Sequence, residues 1–146
     1  MPDRVAAALG ANLYFTRFTG HGRQPAAMAE ATVGRWMDDV GEAIKIGNQI
    51  GETVIIMATS TGATLAAAAA LDEAAMENIG GIIFISPNFA INSRAASLLT
   101  WPFARQWVPL VIGAEQQGIA RNDLHARYWT MNYPTTALMP MAAIVA

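Results

Sequence analysis

The chain predicts an α/β fold, a short parallel sheet with crossover helices, and three stretches carry that expectation. "TVIIMAT" (53–59) is β-branched and uncharged, as is the glycine- and proline-bounded "GGIIFISP" (80–87). Between Thr32 and Gly51, Val33, Trp36, Met37, Val40, Ala43, Ile44 and Ile50 fall at helical spacings. An amphipathic helix between two apolar strands implies a right-handed crossover and a parallel pair.

In chain order, "ANLYFTRF" (11–18) reads as a strand, closed by the loop chemistry of "TGHGRQP". A helix follows over 32–50, with Thr32 suited to cap its start and Gly51 its end. Next come a strand over 53–59, a helix over 61–77 and a strand over 81–86, the last expected to be buried on both faces. With 146 residues, 53% of them apolar and 14% charged, the chain fits one domain with ample material for a core. Positive mean hydropathy points to apolar surface that wants a cover.

A net charge of −2 with scattered basic residues gives no footprint for nucleic acid. The absence of cysteine excludes disulfides, thiol catalysis and cysteine-based zinc sites, and two histidines do not make a metal cluster. No cofactor or metal is implied. The N-terminal residues lack the pattern of a signal peptide, so cytoplasmic residence is the default expectation.

The stretch "VIIMATSTGATLAAAAA" (54–70) has two readings. Nineteen residues between Glu52 and Asp72 carry no charge, long enough for a membrane helix. The run nevertheless changes character, from β-branched to hydroxyl-rich to alanine-rich, and this favours a strand, a turn at Ser60 and a helix. Ser60 then stands at the carboxyl end of a parallel strand, where open sheets of this kind hold their chemistry.

A serine between strand and helix can sit in a strained turn that lifts its hydroxyl clear of the backbone, provided its neighbours are small. Ala58-Thr59-Ser60-Thr61-Gly62 meets that need, with alanine where the usual G-x-S-x-G pattern has its first glycine. The Thr61 backbone N–H, at the positive end of the helix, would be one donor to an oxyanion formed beside the serine. The plainer reading of the same residues makes Ser60 a helix cap.

The ordered set "YFTRFTGHG", "RWMDDV", "STG" and "IIFISPNF" resembles the α/β-hydrolase superfamily, in particular its carboxylesterase and monoacylglycerol-lipase branch. The resemblance covers about residues 8 to 92. It implies a partial α/β-hydrolase fold and a serine hydrolase of carboxylic esters that works through an acyl-enzyme. Ser60 is then the nucleophile, Thr61 N–H part of the oxyanion hole, and Ala58 and Gly62 the small residues of a nucleophile elbow. The implied partner is a small ester substrate with an apolar acyl chain; no integral membrane span is expected, and the oligomeric state is left open.

In that family the triad runs serine, acid, histidine. Asp123 and His125 have the order but lie two apart in "RNDLHARYW", and read as surface residues of a helix. Glu115 closes "WVPLVIGAE", which has a reading as an acid-bearing strand. The favoured reading makes 93–146, rich in Trp, Tyr, Met and Leu, a helical cap-like segment following a core fragment over 1–92. His21 in "GHG" reads as a structural loop residue. The expectation is therefore the middle of a larger hydrolase, a poor catalyst as this chain alone. The alternatives are a noncatalytic α/β interaction module and a membrane-associated protein.

Overall fold

The computed structural model describes residues 1–146, apart from the side chains of Arg94 and Ala95. The chain forms two compact units: residues 1–16 with 36–89, and residues 17–35 with 90–146.

The first unit is mixed α/β. Helix α1 (Pro2–Leu9) ends on Gly10 in the left-handed conformation. Helix α2 (Val33–Ile50) begins where its sequence predicts, because the Thr32 hydroxyl accepts the Arg35 N–H at 3.1 Å, one of the first-turn donors that a helix leaves without a partner. Trp36, Val40 and Ile44 on its apolar stripe are buried. Thr32→Ala is expected to cost about 1 kcal/mol, read as a lowered urea midpoint, since alanine leaves that donor uncapped. An unchanged midpoint would show that the cap contributes nothing.

Strand β1 (Val54–Thr59), helix α3 (Thr61–Ala69) and strand β2 (Ile79–Ile85) form the predicted β-α-β unit. β1 and β2 pair in parallel, Ile56 against Ile82 and Thr59 against Ile85, with an irregularity between Val54 and Ile55. Gly80 lies at this irregularity, where a Cβ would come within 2.6 Å of the Thr53 methyl. Ala58, Ala63 and Ala66 pack together under Ile56 and Ile82, so small side chains bring α3 close to the sheet. The membrane-helix reading of 54–70 is thus replaced by strand, turn and helix, and no helix among the described residues is long and apolar enough to cross a membrane.

Three expectations for this unit need correction. Residues 11–18 form no strand, for this sheet has two strands and no ladder partner reaches the segment; Leu13, Tyr14 and Phe15 are exposed. Helix α3 stops at Ala69 and not at 77, because the Asp72 carboxylate accepts the N–H groups of Ala74 and Ala75 and closes a turn that competes with the helix. β2 is not buried on both faces: Ile83 and Phe84 are more than 40% exposed in a sheet that has only one partner strand.

The second unit is mostly helical. It holds the 3₁₀ turns Pro25–Glu30, Arg94–Thr100 and Thr135–Ala137, and helices α4 (Ala104–Ile112), α5 (Asp123–Tyr128) and α6 (Leu138–Ile144). Ala104, Val108 and Met139 form a small core against Leu99 and Trp107. A strand over 107–115 is not found: the Val-Pro-Leu-Val-Ile run lies in α4, with Pro109 inside it, and ends on Gly113 at φ 90°. An antiparallel ribbon, β3 (Glu115–Gln117) with β4 (Asn132–Pro134), was not legible in the sequence, since three-residue polar strands show no alternation. Thr135 is fully buried beside the ribbon, its hydroxyl donating to the Gly113 carbonyl and accepting from the Gln116 side-chain amide.

Candidate active site

The turn between β1 and α3 is built from the ladder upward. The Ser60 N–H donates to the Ile85 carbonyl at 3.1 Å, extending the β1–β2 pairing by one bond. Immediately beyond it the backbone departs from strand geometry, with Ser60 at φ 52° and ψ −123°, a region that glycine tolerates and other residues occupy only at a cost. The Ser60 carbonyl then accepts from Ala63 N–H at 3.0 Å and opens helix α3. Strand, reversal and helix are completed within two peptide units.

Ser60 occupies the N-cap position, yet its side chain makes no capping hydrogen bond. A serine serving as a cap has extended φ/ψ and turns its oxygen onto the first-turn N–H groups. Ser60 has neither property and is exposed. The hydroxyl therefore stands at the carboxyl end of the sheet, beside the N-terminus of α3. Thr61 is the first residue of that helix, and its N–H is among the donors that no intrahelical carbonyl reaches.

Ala58, Ser60, Thr61 and Gly62 are brought together in this one turn. Ala58 is 8% exposed and packed against Ala63 and Ala66, which explains why a small residue is needed two positions before the serine. Ser86, just beyond the paired strand β2, also has positive φ, at 45°, so each strand is followed by a serine of positive φ at the carboxyl end of the sheet.

Glu115, Asp123, His125 and His21 all belong to the second unit. Glu115 is exposed on β3. Asp123 is an exposed first-turn residue of α5, as read from the sequence. His125 Nδ1 accepts the Arg121 backbone N–H at 3.1 Å, which places the proton of the neutral ring on Nε2. A triad histidine has the opposite arrangement, with Nδ1–H held by the acid and Nε2 open to the serine proton. His21 Nδ1–H donates to the Thr19 carbonyl at 3.4 Å, and its ring meets Phe18 edge-on, which fits a loop histidine held by its surroundings. Among the described residues, no group of His, Asp and Glu is arranged to hold a metal ion.

The family that matches the sequence is described as Serine aminopeptidase, S33, over residues 5–132. No curated protein matches the chain. Among solved structures, one from work on LipS and LipT, two metagenome-derived lipolytic enzymes said to increase the diversity of known lipase and esterase families, is similar in fold. The TM-score is 0.66 at 24% identity, covering 89% of this chain and 51% of that one. The chain thus spans about half the length of the solved structure it matches.

Proposed function

We propose, from the premise that this chain belongs to the serine aminopeptidase S33 family of α/β-hydrolases, that Ser60 is the nucleophile of a serine hydrolase acting on carboxylic esters. One observation carries the reading: an exposed serine in a strained strand-to-helix turn whose side chain caps nothing. A structural serine at that position would have a bond to show for the strain.

In the proposed reaction the Ser60 oxygen attacks the ester carbonyl carbon while a base takes its proton. The carbonyl oxygen becomes an oxyanion held in part by Thr61 N–H. Collapse of the tetrahedral species breaks the bond to the alcohol, which receives the proton from the base, and water then releases the acid from the acyl-enzyme. No histidine of this chain is assigned as that base. This chain is proposed to react slowly, below the roughly thousandfold advantage over water that a complete oxyanion hole and binding site keep without a triad, because Thr61 N–H is the one oxyanion donor assigned. Ester preference draws on the lipolytic structural neighbour, and residues 93–146 are proposed as a helical cap-like segment.

The test is reaction with a fluorophosphonate, with the adduct located by peptide mass spectrometry and imidazole added to supply a base. The adduct is expected on Ser60 alone among the four serines, faster with imidazole, and absent in Ser60→Ala. Adducts spread over Ser86, Ser93 and Ser97 at similar rates, or none under either condition, would overturn the assignment. Parallel assays with p-nitrophenyl esters and aminoacyl p-nitroanilides decide between ester and peptide-type substrates.

A further inference from the structure

The Ser60 turn is tied to the loop after β2 by bonds that the ladder does not require. Thr64 is buried in the first turns of α3, and a threonine there ordinarily turns its hydroxyl back to the carbonyl four residues earlier, which is that of Ser60. Here the hydroxyl instead donates to the main-chain carbonyl of Asn88, 24 residues away in sequence. The Asn88 N–H in turn donates to the Ser60 carbonyl, at 3.4 Å. Both main-chain polar groups of Asn88 are therefore engaged by the turn, one at each end. Ser86 at φ 45° starts this loop, and the Phe89 ring, 5.7 Å from that of Phe84 and edge-on to it, anchors its end.

The consequence lies in the Ser60 peptide. Its carbonyl receives Ala63 N–H at 3.0 Å, with Thr64 N–H and Asn88 N–H each at 3.4 Å. A carbonyl held from both the helix and the loop resists swinging, which restrains ψ of Ser60, while the Ser60 N–H bond to the Ile85 carbonyl restrains φ. We infer that Thr64, acting through the main chain of Asn88, is a positioning residue that holds Ser60 in its reactive conformation. This inference rests on the reading of Ser60 as the nucleophile. Valine at 64 would fill the same space and leave the Asn88 carbonyl without its hydroxyl, so the loop loses its tether while the packing stays. Serine would restore the tether without the methyl group.

The experiment measures the rate of fluorophosphonate modification of Ser60, with imidazole, in the unsubstituted chain, Thr64→Val and Thr64→Ser. Thr64→Val is expected to lower the maximal rate constant by about ten- to a hundredfold, the scale of a small misplacement of a reacting group, without weakening the probe's half-saturation concentration. Thr64→Ser is expected to recover most of the lost rate. Amide hydrogen exchange supplies a readout independent of reactivity: Asn88 N–H is expected to lose protection in Thr64→Val and regain it in Thr64→Ser. Modification of Thr64→Val at the unsubstituted rate, or unchanged protection of Asn88, overturns the inference while leaving Ser60 as nucleophile. Absence of any Ser60 adduct in the unsubstituted chain overturns the nucleophile reading itself.

Discussion

Ser60→Gly is expected to abolish covalent modification and at the same time to raise stability. Glycine removes the reacting oxygen, so the loss of modification is complete. It also accepts φ 52° and ψ −123° without the steric cost that serine bears, on the order of 1–3 kcal/mol for a residue in so sparse a region. Against this stands roughly 0.5–1 kcal/mol for the greater chain freedom that glycine surrenders on folding. The net gain is about 1 kcal/mol, measured as a higher urea midpoint. Ser60→Ala keeps the strained backbone and is expected to leave the midpoint within about 0.5 kcal/mol, because the hydroxyl makes no capping bond. A clear loss of stability in both variants would mean that the serine is structural, and would sink the nucleophile reading along with the strain argument.

Leu65→Ala is expected to destabilise the chain by about 2–5 kcal/mol, the largest stability effect foreseen here. Leu65 is fully buried in the second turn of α3. The cost combines lost transfer of the side chain from water with an unfilled cavity, and α3 carries the reactive turn at its N-terminus. Leu65→Met, which preserves volume, is expected to cost less than about 1.5 kcal/mol. Denaturant midpoints of the two variants test this, and equal effects would show that the site is not packed tightly enough for volume to matter.

Features that rest on neighbours along the chain follow from local sequence. Thr32 caps α2 because the N–H it needs is three residues away, and the apolar spacing of Trp36, Val40 and Ile44 defines one helix face regardless of what covers it. The change from β-branched residues to alanine on either side of Ser60 places the strand, turn and helix for the same local reason, and the small residues at 58 and 62 identify the turn. These features also made the family resemblance readable.

Features that depend on a distant partner follow from the folded arrangement. "ANLYFTRF" has strand composition, but a strand exists only where another offers its ladder, and none does. The run Trp107–Ile112 is apolar and rich in β-branched residues, yet it is a helix packed through Val108 against Met139 and Leu99. Alanine propensity carries α3 only as far as Ala69, and beyond it the Asp72 carboxylate captures the N–H groups of Ala74 and Ala75. At the candidate site, the small residues around it distinguish Ser60 from the other serines. Whether that serine caps the helix or stands free turned on a backbone rotation to φ 52° and on hydrogen bonds reaching from Ile85 and Asn88 across the sheet edge. Such bonds join residues more than 20 positions apart, and no local pattern records them.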